Sequence, residues 1–337
     1  MIRLERARTA RGKNTQGRRA GETPIAVARG GAWDGRVAYL GDPEFVEETP
    51  ELEWFEGLAA PDGCEFIPMP CTAPEQRDVV FIAGPSGSGK STFAAEMAGG
   101  FAEMFAGPDG PPLVVIICPD DPERDAAFRE SGVKYTWVSP AELKAEPVGL
   151  EVFEGAGGSP SLVIFDDVDA LGDKGEAEAV ERVSKAILER GRKRGIHAYH
   201  IAHRPAAGRA TKTVLQEQNG VWFPTAGGAD GNLSYMLKTH LGIPPDLRAA
   251  LKKNSREFGR WAFIKTDATP RWACTPKRLF TVDPEEIEAC ARAGRRTAEA
   301  VARAELAEEL KTAAQNSGPN TNGLASLTAR RRALAPE

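Results

Sequence analysis

Eight residues, Gly84-Pro85-Ser86-Gly87-Ser88-Gly89-Lys90-Ser91, constrain the fold of this chain more than any other segment. They follow an apolar run, Val79–Ala83, and open a stretch in which Phe93, Met97, Phe101 and Met104 recur at helical spacing. G-x-x-x-x-G-K-S between a buried strand and a helix is a phosphate cradle. Its glycines let backbone N–H groups turn inward, and the helix amino end adds partial positive charge. Gly84, Pro85, Ser86, Gly87, Ser88, Gly89, Lys90, Ser91 and the adjoining Thr92 are therefore the candidate nucleotide-binding residues. Lys90 is placed to neutralise the β- and γ-phosphates of a nucleotide, and Ser91 to ligate Mg²⁺.

The rest of the middle region repeats the same alternation. Apolar runs at Leu113–Cys118, Val133–Val138, Leu162–Phe165 and Ile196–Ala202 are separated by turn signals and helical stretches, which predicts an α/β fold with a mostly parallel sheet and helices on both faces. Helices are expected over Lys90–Ala106, Pro122–Ser131 and Glu176–Arg194, and Ser139-Pro140-Ala141-Glu142 spells a capping box. The run Leu162–Phe165 ends in two acids, Asp166 and Asp167. At the tip of a strand downstream of a phosphate loop, Asp166 can hold the Mg²⁺ shell, and Asp167 can orient and deprotonate a water. The competing reading is that Asp167, or Asp169, caps the following turn.

Charge divides the amino-terminal region. Residues 1–36 carry nine basic groups against three acids, whereas residues 37–66 carry nine acids and no Lys or Arg. The expectation is a basic disordered arm over 1–36, an acidic segment over 37–75 packing on the core, a nucleotide-binding domain over 76–283, a helix over 284–315 opened by Asp283-Pro284, and a disordered tail over 316–337. The formal net charge of −5 excludes a histone-like protein, so any basic surface has to be local. No apolar run approaches the roughly 18 residues that cross a bilayer, which predicts a chain without direct membrane insertion and without a secretory leader. Five scattered cysteines, Cys64, Cys71, Cys118, Cys274 and Cys290, contain no C-x-x-C pair and indicate neither a disulfide framework nor a zinc site.

Downstream of the acids, Gly195-Ile196-His197 leads through a mostly apolar strand to Ala202-His203-Arg204-Pro205. In this strand and its order after the loop and the acid pair, the chain resembles the FtsK/HerA superfamily of DNA-pumping ATPases over residues 76–283. The resemblance implies a P-loop NTPase of the ASCE/RecA-like kind, with ATP and Mg²⁺ as cofactors. It places His203 where the superfamily carries a γ-phosphate-sensing Gln, Ala202 where it carries Thr, Asp167 where Glu is common, and Arg192 at the arginine finger supplied across a subunit boundary. Arg190 and Arg194 compete for that last role. The short chain and the Asp-Asp pair are most similar to viral genome-packaging ATPases of the poxvirus and giant-virus type. The implied partners are double-stranded DNA, further copies of the chain in a homo-oligomeric ring, and a capsid or capsid-vertex protein, in host cytoplasm at the assembly site or in the virion.

Two other readings compete with packaging. A cellular FtsK/HerA-type DNA-transfer ATPase has the same motifs. Gly84–Thr92 also resembles the loop of guanylate kinases, although transfer to a nucleotide requires neither the adjacent acids nor the sensor-like strand. No Leu-Ser-Gly-Gly-Gln follows the loop, as a transporter ATPase needs, and no Asn-Lys-x-Asp base reader appears, as a GTPase needs. The basic groups Arg204, Arg209 and Lys212, and Lys252, Lys253 and Arg256, either reach DNA phosphates or form solvated faces. Trp222, Trp261 and Trp272 are expected in the core.

Overall fold

A computed structural model of the chain describes residues 1–5, 21–48, 57–70, 76–107, 110–204, 209–225, 235–243, 245, 248–249, 258–268 and 271–282. Two compact units are present, residues 1–243 with 248–283, and residues 244–247 with 284–337. The first holds the sheets and helices. In chain order its strands and helices are β1 (Ile2–Leu4), β2 (Glu22–Arg29), β3 (Val37–Gly41), α1 (Pro43–Glu48), β4 (Gly57–Ala59), β5 (Glu65–Pro68), β6 (Val79–Ala83), α2 (Lys90–Met104), β7 (Val114–Ile117), α3 (Ala126–Arg129), β8 (Thr136–Val138), α4 (Pro140–Ala145), β9 (Ser161–Phe165), α5 (Lys174–Arg190), β10 (Ile196–Ala202), α6 (Arg209–Glu217), β11 (Gly220–Pro224), β12 (Trp261–Lys265), β13 (Arg271–Cys274) and β14 (Arg278–Val282).

Ten strands make one mixed sheet in the order β4-β14-β13-β12-β11-β6-β10-β9-β7-β8. The six from β11 to β8 run parallel, and β12, β13, β14 and β4 continue the sheet with antiparallel pairings. Strand β10 lies between β6 and β9, so the chain ends leaving β6 and β9 emerge at one edge with the tip of β10 between them. Every residue of β6, β9, β10 and β11 is buried, as continuous apolar runs in a sheet covered on both faces require.

Alternate residues divide between two cores. Val80, Ile82, Leu162, Ile164, Tyr199 and Ile201 pack on Phe93, Met97 and Phe101 of α2, while Val163, Phe165, Ile196 and Ala198 pack on Val180, Val183 and Ile187 of α5. Trp222, Trp261 and Trp272 are buried, and Phe93 stacks on Trp222 with ring centroids 5.5 Å apart and meets Trp261 at 5.3 Å. Each such aromatic pair adds about 0.5–1.5 kcal/mol beyond its area burial. Capping follows the side chains. Asp173 accepts from Glu176 N at the start of α5, and Ser139 with Glu142 forms the expected capping box of α4. The expected helix over 122–131 divides in two, because Asp125 caps a second start at Ala126.

The amino-terminal boundaries require correction. Residues 1–36 do not form a disordered arm where they are described: β1 and β2 join β3 and β5 in a four-stranded antiparallel sheet of order β1-β3-β2-β5, so a boundary at 36/37 would cut a β-hairpin. Ile2, Ile25, Ala26 and Ala28 supply a buried face, and the Arg3 guanidinium lies over Tyr39 and donates to both carboxylate oxygens of the fully buried Glu22, at 2.6 and 2.7 Å. Pairing a cation with a buried acid turns a residue read as arm charge into part of the core. This sheet lies against α2, where Arg29 donates to Glu96 at 2.7 Å and Pro70 approaches Gly100. Residues 6–20, the helix expected over 284–315 and the tail over 316–337 lie outside the described residues. Cys64, Cys118 and Cys274 are free thiols; Cys71 and Cys290 are not among the described residues.

His197 and His200 occupy opposite faces of β10. His197 accepts from Asp78 N at 3.1 Å beside Phe101, and His200 stacks on Phe165 at 4.4 Å. Burial holds His197 down to about 4 and His200 down to about 3 from the ordinary 6.5. Both are neutral in the native state, so the unfolded chain binds more protons below about pH 6.5. Their contribution to stability is complete above that pH and is lost as the pH falls toward the native values. His200→Leu should make the decline in urea-unfolding free energy between pH 6 and pH 4 shallower by up to about 1.4 kcal/mol per pH unit. An unchanged slope contradicts the assignment.

Candidate functional site

The loop after β6 is shaped by three glycines. Gly84 N donates to Ala202 O at 3.1 Å, and a Cβ at Gly84 would lie 2.9 Å from both Pro224 Cδ and Ser88 Oγ, so only glycine fits against β11. Gly87 (φ 74°) and Gly89 (φ 91°) take left-handed backbone that other residues adopt at a cost. Gly89 caps α2 without a side-chain hydrogen bond, leaving the orphan N–H groups of the first turn turned toward the loop. Ser88 Oγ is buried and without a partner. Lys90 is 6% exposed, and its ammonium reaches inward to Pro85 O at 3.1 Å. Burial lowers its pKa, opposed by the charges of Asp167, Asp166 and Asp169. A buried cation at the uncapped amino end of a helix fits a polyphosphate.

At the end of β9, on the far side of β10 from the loop, Asp166 is buried, with its N–H donated to Ile117 O at 3.0 Å. Burial, reinforced by Asp167 and Asp125 and opposed by Lys90, pushes its carboxyl up to about 7. A hydroxyl with a carboxylate, Ser91 with Asp166, is a hard oxygen donor set suited to Mg²⁺. Asp167, at φ 53°, is alone among the described non-glycine residues in the left-handed region. The turn brings its exposed carboxylate to His203, with Oδ1 2.6 Å from Nε2. Asp169 Oδ2 accepts from His203 N at 3.0 Å, and Lys90 Nζ lies 3.5 Å from His203 Nδ1. An open cleft of about 390 Å³ continues from Asp166 and Asp167 along Asp120, Asp121, Asp125 and Cys118.

The structure thus gathers Lys90, Asp166, Asp167 and His203 at one sheet edge. It does not bring Arg192 there. Arg192 is exposed in the turn before β10, at the opposite end of a seven-residue strand about 20 Å long. Arg190 and Arg194 share that end, with Arg194 paired to Glu154, and the buried Arg77 donates to Ile187 O and Leu188 O at the close of α5. Arg204 and Lys212 are exposed, and Lys252, Lys253 and Arg256 lie outside the described residues. Asp169 and Pro224 emerge as site residues that sequence reasoning missed. Asp169 was legible only as a turn cap, and Pro224 only as part of a strand.

No family model matches the chain. Over 227 residues the chain is 28% identical to "Uncharacterized protein V3" of Sputnik virophage, spanning 66% of this chain and 81% of that one. Among solved structures, it is similar to the genome packaging NTPase B204 from Sulfolobus turreted icosahedral virus 2 in complex with AMPPCP, at 11% identity and TM-score 0.37, covering 60% of this chain and 99% of that chain. A second is the pCW3 conjugation coupling protein TcpA with ATPgS, at 15% identity and TM-score 0.38, covering 80% of this chain and 82% of that one.

The left-handed backbone at Asp167 makes a prediction about stability. Asp167→Asn, which tolerates that conformation, should leave the urea midpoint within error, whereas Asp167→Val should cost about 1–2 kcal/mol. Equal stability of the two variants would contradict the backbone assignment.

Proposed function

We propose that the chain is the ATP-hydrolysing subunit of a homo-oligomeric ring that drives double-stranded DNA, loading a viral genome into a capsid in the host cytoplasm. The observation that carries the reading is the meeting of Lys90 with His203 and Asp167 at the carboxyl ends of β6, β9 and β10, where open α/β sheets place their ligands. Transfer to a small acceptor calls for none of the second acid, the imidazole at the next strand tip or their hydrogen bond. A relative of virophage origin supports a viral source. Among the described residues, no helix is long and apolar enough to cross a membrane.

In this reading Gly84–Thr92 wraps the phosphates, Lys90 turns from Pro85 O to their charge, and Ser91 with Asp166 holds Mg²⁺. The metal supplies charge neutralisation at the phosphate oxygens. The hydrogen-bonded pair of Asp167 and His203 stands at the terminal-phosphate end of the site. Arg192, about 20 Å from its own His203 along β10, acts on the site of a neighbouring subunit. Charge supports such front-to-back packing: Asp120, Asp121, Asp125, Asp166 and Asp167 gather at one edge of the sheet, and Arg190, Arg192, Lys193 and Arg194 at the other. Opposite faces of successive copies then attract, and a heterologous contact of this kind closes into a ring when its rotation permits. Hydrolysis in one subunit thereby depends on the geometry of the next.

Hydrolysis by the full chain should rise with duplex DNA and fall with Lys90→Ala, and the stimulation should decline across a salt series as counterion release predicts. DNA-independent turnover surviving Lys90→Ala would count decisively against the motor. Arg192→Ala and Asp167→Ala subunits, each inactive alone, should regain hydrolysis on mixing, since some interfaces then combine an intact Arg192 with an intact Asp167. Silence at every mixing ratio would remove Arg192 from the finger role.

A further inference from the structure

The geometry points to His203 as the group that takes the proton from the attacking water, with Asp167 as its positioning partner rather than the base itself. The inference rests on the ATP-hydrolysis reading above and deepens it. Three contacts orient the imidazole. An ammonium has only protons to offer, so Lys90 Nζ, 3.5 Å away, is the donor and His203 Nδ1 the acceptor. The ring proton therefore resides on Nε2 and is donated to Asp167 Oδ1 at 2.6 Å. The backbone beneath the ring is fixed as well, since His203 N donates to Asp169 Oδ2 at 3.0 Å. Both carboxylates come from the single turn after β9, and the left-handed conformation of Asp167 turns its side chain to the ring.

This leaves one lone pair, on Nδ1, aimed at the lysine of the phosphate cradle. The contact with Lys90 is long for a hydrogen bond, and the lysine has a stronger attraction to a polyphosphate than to a neutral ring. When Lys90 turns to the phosphates, Nδ1 faces the reacting end of the nucleotide with Asp167 behind it. A base whose second nitrogen donates to a carboxylate is held in one tautomer, and the imidazolium it becomes is stabilised by that carboxylate. The charged groups facing the ring are Lys90 from α2 and Asp167 and Asp169 from the turn after β9.

The water oxygen forms a bond to the γ-phosphorus, the bond from that phosphorus to the β–γ bridging oxygen breaks, and its electron pair leaves with ADP. The water proton passes to His203 Nδ1 and returns from there to the released phosphate or to solvent.

The test compares His203→Gln, Asp167→Asn and the double variant in the full chain with ATP, Mg²⁺ and duplex DNA. Phosphate release gives kcat, and a fluorescent ATP analogue gives affinity. Glutamine can hydrogen-bond but cannot take a proton, so His203→Gln should lower kcat by about 10²-fold or more while affinity stays within about three-fold. Asp167→Asn, which leaves the base present but wrongly held, should lose about 10²–10⁴-fold in kcat. The double variant should be no slower than the slower single, because the two act as one unit. Retention of kcat within about five-fold by His203→Gln, with Asp167→Asn inactive, would overturn the inference and return the base role to Asp167. Multiplication of the two losses in the double variant would overturn it too. Failure of the underlying reading has a different signature: unchanged hydrolysis in Lys90→Ala, whatever the other variants do.

Discussion

The parallel pairing of β10 with β6 on one side and β9 on the other is the constraint from which the site follows. Ala202 is level with Ala83, and His200 with Phe165, so the phosphate loop, the acid pair and His203 leave the sheet within a few residues of one another. A one-residue slip of β10 would turn Ile201 and Tyr199 from the α2 core to the α5 core and carry His203 away from Lys90. The two apolar cores, each matched to alternate residues of β10, therefore determine where the imidazole sits. Core packing and site geometry are one specification here, since the strand that fills both cores is also the one that carries the polar tip.

The neighbourhood of the phosphate loop is buttressed from three directions. Pro224 at the end of β11 presses on Gly84, the aromatic group around Phe93 anchors the first turns of α2, and the amino-terminal sheet contacts the same helix through Arg29 and Glu96. A helix whose amino end serves as an anion cradle leaves its first donors uncapped, so its position depends on packing further along its length. Buried Phe93, Met97 and Phe101 provide that packing. The small sheet thus belongs to the support of the loop rather than to a separate tail.

Much of this was legible because doubly buried parallel strands are written as uninterrupted apolar runs. Val79–Ala83 and Ile196–Ala202 coincide with β6 and β10 residue for residue, and the loop, the acids and His203 lie at strand ends, where the sequence places them directly. The amino-terminal sheet was obscured because its charge count dominated the reading. Arg3 looks like arm charge until Glu22, nineteen residues away, is seen to neutralise it inside the core. Strand β14 is equally hard to see, since Arg278–Val282 mixes charge, hydroxyl and apolar residues at a half-covered position in the sheet. Asp169 and Pro224 act through contacts to residues far along the chain, and a local pattern contains no sign of such contacts.

The electrostatics of the pocket explain why a fold would tolerate so much opposed charge at one edge. Asp166 is pushed up to about 7 from 3.8, a displacement on the order of 4 kcal/mol between its two protonation states, while the nearly buried Lys90 is shifted toward its neutral form. Each is a charge removed from water without an adequate partner, even though the two lie close enough to feel one another. Moving them into direct contact would relieve both and would also close the cradle. A ligand of opposite polarity at its two ends, phosphate oxygens toward Lys90 and a divalent cation toward Asp166, relieves both and keeps them apart. The hydrogen bond between Asp167 and His203, outside this buried pair and partly in solvent, remains available to the chemistry.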